Sequence, residues 1–348
     1  MSCPCALVLS VPLAFFSGIG VGSRKGILFK GGASLEALCK LKAVVMDKTG
    51  TLTKGEFKVQ EITTFGDYTS RQLLELCAGC ELHSTHPIGT SILAAAGEQG
   101  VEPAKTQTLQ EIPGQGIAAT IGGQQVLCGN RKLLEAHGII PDETVPDAQV
   151  YLAVDGKAEG SFRIADGIKE DAHAAVAELK KMGLHTAILT GDTPAGAEQV
   201  AKELKIDEVH AGLLPQQKLE VLQQIREKCG AVMFVGDGIN DAPVLAGADV
   251  GAAMGSGADA AMEAADAVFM TSAAGSVPEA IRIARQTYRV AMQNVVVALA
   301  VKFAVMVLGL LGFANMWLAV FADSGVALLC VLNSIRILYK ERKHHDRV

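Results

Sequence analysis

Long apolar runs near both ends of the chain enclose a middle region in which short apolar runs alternate with polar ones. Residues 5–22 are apolar and uncharged, residues 295–312 are interrupted only by Lys302, and residues 317–332 contain a single acid, Asp323. Each run approaches the ~20 residues that a membrane-spanning helix needs. The pattern predicts one transmembrane helix at 1–22 and a pair of them within 290–338.

Basic residues lie on one side of each predicted membrane helix. Arg24 and Lys25 follow the first run, whereas a signal peptide would have positive charge before it. Further basic residues flank the C-terminal pair on its outer ends: Arg282, Arg285, Arg289, Arg336, Lys340, Arg342 and Lys343. Because Lys and Arg accumulate on the cytoplasmic side, we expect a multi-pass protein of the cell membrane with a cytoplasmic middle region and a cytoplasmic tail at 339–348.

Three short apolar runs in the middle region end in turns that contain carboxylates. Ala43–Met46 leads into Asp47, Thr186–Leu189 into Thr190-Gly191-Asp192, and Ala231–Val235 into a turn with Asp237 and Asp241. Buried parallel strands have such runs, and open α/β sheets bind ligands at their carboxyl ends. We predict a Rossmann-like, doubly wound α/β domain in which Asp47, Asp192, Asp237 and Asp241 share one crevice. Since these carboxylates would repel one another, Mg²⁺ is expected among them.

A segment of different character interrupts this domain. Residues 71–76 and 92–96 have helical spacing, and the remainder up to residue 158 is rich in turns. We predict an inserted α+β domain at 58–158, so that the first domain consists of residues 23–57 and 159–275.

Composition narrows the class of protein. The 348 residues are 49% hydrophobic with a mean hydropathy of +0.30, which supports membrane segments. A net charge of −6 gives no electrostatic reason to expect nucleic-acid binding. The eight cysteines are scattered through a chain that otherwise resembles cytosolic proteins, so free thiols or metal ligands are favoured over disulfides.

The most specific motif is the run from Asp47 to Thr53, Asp-Lys-Thr-Gly-Thr-Leu-Thr. A bare Asp-x-Thr-Gly would be explained by a capping aspartate, but these seven residues resemble the phosphorylation motif of the P-type ATPases. Three more elements follow in that family's order: Thr190-Gly191-Asp192, Pro215-x-x-Lys218 and Gly236-Asp237-Gly-x-Asn-Asp241. The resemblance implies ATP hydrolysis through an aspartyl phosphate on a haloacid-dehalogenase-type domain.

The resemblance also implies roles for single residues. Asp47 would be the nucleophile, and Lys218 and Thr190 would stabilise the phosphoryl group, with Asp192 beside them in the catalytic set. Asp47, Thr49, Asp237 and Asp241 would form the Mg²⁺ site. For Lys218 the alternative is a solvated surface charge.

Within the insert, the resemblance implies an ATP site. A lone His-Pro usually begins a helix, and a lone Gly-x-Gly is usually a turn. The joint spacing of Glu81, His86, Gly114 and Gly116 nevertheless resembles the nucleotide-binding domain of the heavy-metal pumps. The chain has no P-loop sequence.

The transport site is expected in the membrane helices. Cys3-Pro4-Cys5 resembles the ion-binding motif of the heavy-metal branch, and Pro4 would break the helix between two soft ligands. Lys302 and Asp323 fit the zinc-, cadmium- and lead-exporting branch, either as metal ligands or as a structural ion pair. The copper-exporting branch has a Met-x-x-Ser-Ser in its last helix, and no such element lies between Trp317 and Arg336.

Other interpretations are a copper exporter, a phosphatase of the same fold and a regulatory membrane fragment. The phosphatases typically have Asp-x-Asp, where this chain has Thr49. The family also has an actuator domain and further upstream helices, so the chain is expected to be the C-terminal half of a pump. Its expected partners are therefore that other half, membrane lipid and the transported ion.

Overall fold

The computed structural model describes residues 5–84, 86–140, 149–237, 241–255, 259–313 and 316–340. The strands are β1 (Ile27–Phe29), β2 (Ala43–Met46), β3 (Thr53–Thr64), β4 (Thr106–Ile112), β5 (Gly116–Ile121), β6 (Gln124–Gly129), β7 (Val150–Val154), β8 (Lys157–Ile168), β9 (His185–Leu189), β10 (Glu208–His210), β11 (Val232–Gly236), β12 (Val250–Met254) and β13 (Ala267–Phe269). The α-helices are α1 (Cys5–Arg24), α2 (Gly32–Lys40), α3 (Ser70–Glu81), α4 (Pro87–Glu98), α5 (Arg131–Ala136), α6 (Ala172–Lys181), α7 (Pro194–Leu204), α8 (Pro215–Cys229), α9 (Ala242–Gly247), α10 (Asp259–Ala264), α11 (Ser276–Leu310), α12 (Met316–Val320) and α13 (Val326–Lys340).

The chain forms two compact units. One consists of Met1–Leu52 with Lys169–Val348, and the other is Thr53–Ile168. The second unit is longer than the predicted insert at 58–158, because β3 and β8 pair along their lengths from Thr53 and Ile168. Two strands of one ladder cannot be divided between domains.

The first unit contains a seven-stranded sheet in the order β1-β13-β12-β11-β2-β9-β10. All neighbours are parallel except β1 and β13. Every residue of β2 and of β11 is buried, as expected for strands covered on both faces. After β2 the chain adds β9 and β10 on one side, then β11 to β13 on the other. The strand order therefore reverses at β2, where such sheets bind ligands.

Helices cover both faces of this sheet. Leu222 and Ile225 of α8 and Val244 of α9 cluster with Val45 and Phe234, which point to one face. The buried leucines of α2 and α6 are not in that cluster, although α2 packs on β12 and α6 on β9. This confirms the predicted doubly wound α/β fold.

The second unit is an antiparallel six-stranded sheet in the order β3-β8-β7-β6-β5-β4. Helices α3 and α4 pack on it around a core that includes Leu73, Ile92 and Phe162. Thr69 begins α3 with a capping box, in which Thr69 Oγ1 accepts from the Gln72 N–H and the Gln72 side chain accepts from the Thr69 N–H. This is the predicted α+β insert.

Three helices in the described residues are long and apolar enough to cross a membrane: Leu7–Arg24, Ser276–Leu310 and Met316–Tyr339. The third is irregular, because a π-helical turn at Phe321–Gly325 separates α12 from α13. Asn294 connects the last two spans, since its side chain donates to Ser334 Oγ at 2.8 Å and to Cys330 O at 3.1 Å. Ser334 Oγ in turn donates to Ser10 O of α1 at 2.9 Å.

Candidate active site

Asp47 lies at the carboxyl end of β2, where the strand order reverses. Its backbone N–H donates to Val235 O at 2.8 Å and extends the β2–β11 ladder by one residue. The chain then turns through Lys48–Leu52, and the Thr49 N–H donates to Asp47 Oδ2 at 3.1 Å. Asp47 is 6% exposed. Backbone contacts on both sides thus fix a nearly buried carboxylate.

Gly50 makes room for a second carboxylate. Its φ is +72°, and a Cβ atom there would lie 1.6 Å from Asp237 Oδ2. Any other residue would displace the Asp237 side chain as well as strain the backbone. The glycine of the motif therefore serves the site directly, in addition to allowing the tight turn.

Lys218 bridges two of the carboxylates. Its Nζ donates to Asp47 Oδ1 at 2.5 Å and to Asp241 Oδ1 at 2.9 Å. Pro215 and the Gln217 side chain, which accepts from the Leu214 N–H at 2.8 Å, fix the start of α8 and so the position of Lys218. Because Lys218 is only 8% exposed, the alternative of a solvated surface charge is wrong.

Lys169 is a second cation at the site, which the sequence did not reveal. It is nearly buried, its Nζ donates to Gly50 O, and its backbone N–H donates to Leu52 O at 3.0 Å. Leu52 and Lys169 are the residues on either side of the insert. Lys169 is therefore more than a hundred positions from the turn that it supports, and no motif surrounds it.

Asp47, Asp237 and Asp241 form a group whose ligand oxygens all lie within 4.8 Å of one another. Burial raises the pKa of Asp47 to about 6, against the attraction of Lys218 and with a further contribution from Asp241. Burial and then Asp241 also raise the pKa of Asp237, which Lys169 and Lys218 lower. For Lys218, burial favours a lower pKa, but Asp47 and Asp241 raise it above its ordinary value. The two lysines thus offset the three carboxylates only in part.

This donor set fits Mg²⁺. Hard divalent cations prefer carboxylate oxygens, and a cation here would offset the burial and the repulsion that raise the pKa values of Asp47 and Asp237. Thr49, the fourth residue of the predicted Mg²⁺ site, belongs to the turn that follows Asp47. Residues 238–240, between Asp237 and Asp241, lie outside the described residues.

Asp192 does not join this group. Met46 pairs with Ile188, so Asp47 continues in register with Leu189; Thr190 follows one residue later, and Asp192 follows three residues later. Thr190 is 2% exposed, and its Oγ1 accepts from the Asp192 N–H at 3.1 Å. The Asp192 carboxylate instead forms an ion pair with Lys48 and is 42% exposed. The predicted crevice of four carboxylates is thus corrected to three.

The second unit contains a cavity of about 280 Å³. Its lining includes all four residues predicted to contact a nucleotide: Glu81, His86, Gly114 and Gly116. Gly129 and Asn130 also line it. The Asn130 side chain donates to Gly114 O at 2.9 Å and accepts from the Leu133 N–H, so it joins two of the lining segments. Burial raises the pKa of Glu81.

His86 begins α4 and also lines this cavity. Its Nδ1 accepts from the Ile88 N–H at 3.2 Å, and Pro87 occupies the first helical position. Because Nδ1 is an acceptor, the neutral ring has its proton on Nε2 and can donate it to a ligand. Helix capping and ligand contact are compatible here.

Glycine is needed at positions 114 and 116 for different reasons. A Cβ at Gly116 would lie 2.3 Å from Cys128 O, so β6 itself excludes a side chain there. At Gly114 the space is open, but φ is +71°. The turn thus requires glycine at position 114, whereas strand packing and a φ of +143° both favour glycine at position 116.

In the membrane helices, Lys302 Nζ lies 3.1 Å from Asp323 Oδ1. Asp323 belongs to the π-helical turn, a feature that is frequent at functional sites. Cys3 lies outside the described residues, and only the backbone of Cys5 is described. Of the four predicted transport residues, the structure therefore brings together Lys302 and Asp323.

Residues 41–249 match the haloacid dehalogenase-like hydrolase family. The chain belongs to the haloacid dehalogenase-like hydrolases. A cadmium, zinc and cobalt-transporting ATPase of Bacillus subtilis (strain 168) is 49% identical over 99% of this chain, and a copper-exporting P-type ATPase of the same strain is 37% identical over 97%. The chain covers 50% and 43% of these proteins, so it spans about half the length of the relatives that it matches.

A solved structure agrees with these relatives. A zinc-transporting PIB-type ATPase in an E2.Pi state superposes with a TM-score of 0.87 at 35% identity, over 97% of this chain and 56% of that one. The predicted resemblance to the zinc- and cadmium-transporting P-type ATPases is confirmed, as is the predicted membrane location. The identity is higher to the cadmium and zinc transporter than to the copper exporter.

Position 49 restricts the chemistry that this haloacid dehalogenase-like hydrolase can perform. A carboxylate two residues after Asp47 could act as general acid and base, but Thr49 stands there. The Thr49 backbone is occupied in holding Asp47. Thr49 therefore supplies no carboxylate for general acid–base chemistry next to Asp47.

We predict that Mg²⁺ raises the melting temperature of the chain relative to EDTA, and that Asp237→Asn removes most of this rise. Binding of a ligand to the folded state alone, at a concentration about 100 times its Kd, stabilises by ~2.7 kcal/mol. The measurement is thermal unfolding in nonionic detergent over a series of Mg²⁺ concentrations.

Asp192→Asn is the matched control for this experiment, because Asp192 lies outside the three-carboxylate group. An equal loss of the Mg²⁺ effect in Asp192→Asn, or none in Asp237→Asn, would contradict the assignment.

Proposed function

We propose that the chain is the catalytic and ion-coupling part of an ATP-driven efflux pump for Zn²⁺ and Cd²⁺, and that Pb²⁺ belongs to the same substrate class. The observation that carries this proposal is the buried Asp47, bonded to Lys218 beside two further carboxylates where the strand order reverses. The membrane ion pair Lys302–Asp323 and the relatives' names support metal transport. An actuator domain and upstream helices are proposed to act together with this chain.

In the proposed reaction, a carboxylate oxygen of Asp47 attacks the γ-phosphorus of ATP. The new Asp47 O–P bond forms as the bond to ADP breaks, and ADP leaves with the electron pair. Lys218 holds Asp47 ionised before transfer, and with Thr190 it balances charge on the phosphoryl oxygens. Mg²⁺, held by Asp47, Thr49, Asp237 and Asp241, would supply further charge neutralisation to these oxygens. Asp192, paired with Lys48, supports the Thr190 turn.

We assign ATP binding to the cavity of the second unit. The Nε2–H of His86 is a donor for an adenine nitrogen, and Glu81 can accept from its amino group. Gly114 and Gly116 present backbone rather than side chains to the cavity.

The transport site is assigned to Cys3, Cys5, Lys302 and Asp323. Two thiolates with one carboxylate suit Zn²⁺ and Cd²⁺, whereas Cu⁺ prefers sulfur alone. Lys302 neutralises Asp323 when no ion is bound, which limits the cost of a membrane charge. The arriving metal ion would then displace the lysine.

We predict that the purified chain, given γ-labelled ATP and Mg²⁺, acquires acid-stable label that hydroxylamine removes. Asp47→Asn should abolish the label, and Lys218→Ala should slow its appearance by roughly 10²-fold, the usual effect of losing one charge-stabilising donor. Glu198→Gln is the control, because Glu198 is an exposed acid outside the site. Label that survives Asp47→Asn, or that resists hydroxylamine, would count against an acyl phosphate.

Replacement of His86 by Ala should weaken ATP binding by about tenfold, the value of one hydrogen bond of ~1.4 kcal/mol. His83→Ala should leave it unchanged, since His83 is exposed nearby but does not line the cavity. Equilibrium dialysis with labelled ATP measures both. Equal loss in the two variants would place the nucleotide elsewhere.

In an assembled pump, Asp323→Ala should abolish Zn²⁺-stimulated ATPase activity, and Lys302→Ala should reduce it less, because only Asp323 is a strong ligand. The assay compares Zn²⁺, Cd²⁺, Pb²⁺ and Cu⁺ at a fixed thiol concentration. Best activation by Cu⁺, or full Zn²⁺ stimulation in Asp323→Ala, would favour the copper exporter.

A further inference from the structure

A groove of about 720 Å³ lies beside the N-terminal half of α11. One wall is formed by Cys39–Lys42, at the end of α2 and in the link to β2. The other wall is a single face of α11, because its residues recur at intervals of three and four: Arg285, Tyr288, Arg289, Met292, Gln293, Val296 and Val297. From Arg285 to Val297 this face extends roughly 18 Å at 1.5 Å per residue.

The groove is basic at one end and apolar at the other. Lys40, Lys42, Arg285 and Arg289 line the basic end, and no described acidic residue lines the groove. Lys40 bonds to Glu36 at 2.8 Å, and Arg285 donates to Met182 O at 3.3 Å. Lys42 and Arg289 are exposed and form no ion pair within the described part of the chain. Two cations on different elements are thus available to one anion.

The change from basic to apolar residues coincides with the start of the exposed apolar surface of α11. Val296 is 60% exposed, and exposed apolar residues continue along the helix to Phe303 and Met306. Arg289 lies two turns before Val296. It is therefore at the level where a cytoplasmic headgroup layer meets the acyl chains.

We propose that this groove binds one anionic phospholipid. Its phosphate lies between Lys42 and Arg289, and an acyl chain follows Met292, Val296 and Val297. The acyl chain of a zwitterionic lipid also fits the apolar end of the groove, but its cationic headgroup would be repelled by the basic end. A free phosphate satisfies the basic half and leaves the apolar half exposed.

The test titrates the purified 348-residue chain, in nonionic detergent, with phosphatidylglycerol or with phosphatidylcholine of the same acyl chains. Native mass spectrometry counts bound lipids. The first phosphatidylglycerol should bind at least fivefold more tightly than phosphatidylcholine. Lys42→Gln and Arg289→Gln should each weaken it by about fivefold, the usual contribution of one basic residue at a membrane surface.

Arg336→Gln is the matched control. Arg336 is an exposed cation near the end of α13 and does not line the groove, so its loss should leave the first binding step unchanged. Glycerol 3-phosphate should not displace the lipid. Unchanged thermal unfolding verifies the fold, and Lys42 and Arg289 lie on separate elements in case one variant misfolds.

Three results would overturn the proposal. The first is equal affinity for the two lipids. The second is a loss in Arg336→Gln as large as in Arg289→Gln, which indicates general charge attraction. The third is displacement by glycerol 3-phosphate, which indicates an anion site that does not use the acyl chain.

Discussion

At the carboxyl edge of the sheet, two nearly buried carboxylates, Asp47 and Asp241, and the half-buried Asp237 share the cations Lys218 and Lys169. Lys218 contacts Asp47 and Asp241, and Lys169 acts on Asp237, yet the pKa values of Asp47 and Asp237 remain above their ordinary range. Removing one partner of a buried charge pair typically costs ~3–5 kcal/mol. Burial and mutual repulsion destabilise the ionised carboxylates, and a bound divalent cation would reduce this destabilisation. The same electrostatics suit a site for phosphoryl transfer.

The surrounding fold brings these carboxylates together. Reversal of the strand order at β2 brings Asp47 between Thr190 and Asp237, and Gly50 is needed so that Asp237 can approach. The membrane helices contain a similar pairing with fewer charges, because Lys302 forms an ion pair with Asp323. In both places a lysine forms an ion pair with a carboxylate from a different element of the fold.

Sequence patterns predicted much of this arrangement because its determinants are local. Short buried strands followed by Asp, and apolar runs followed by basic residues, need no knowledge of distant contacts. The errors arose where distant residues decide. Lys169 contacts Gly50 although the whole insert separates them in sequence. Pairing of β3 with β8 places the domain boundary outside the predicted one. The Asp192 carboxylate pairs with Lys48 and does not join the other carboxylates. The basic and apolar groove likewise depends on α2 packing beside α11, which no periodicity reveals.

The proposed reaction requires that Asp47 itself forms the acyl phosphate. Borohydride reduces an aspartyl phosphate to homoserine, and peptide mass spectrometry then locates the altered residue. After reaction of the chain with ATP and Mg²⁺, we expect homoserine at position 47 and none when ATP is omitted. Homoserine at Asp237, at Asp241 or at any other position, or its absence from a chain that has taken up phosphate, would show that Asp47 is not the phosphorylated residue.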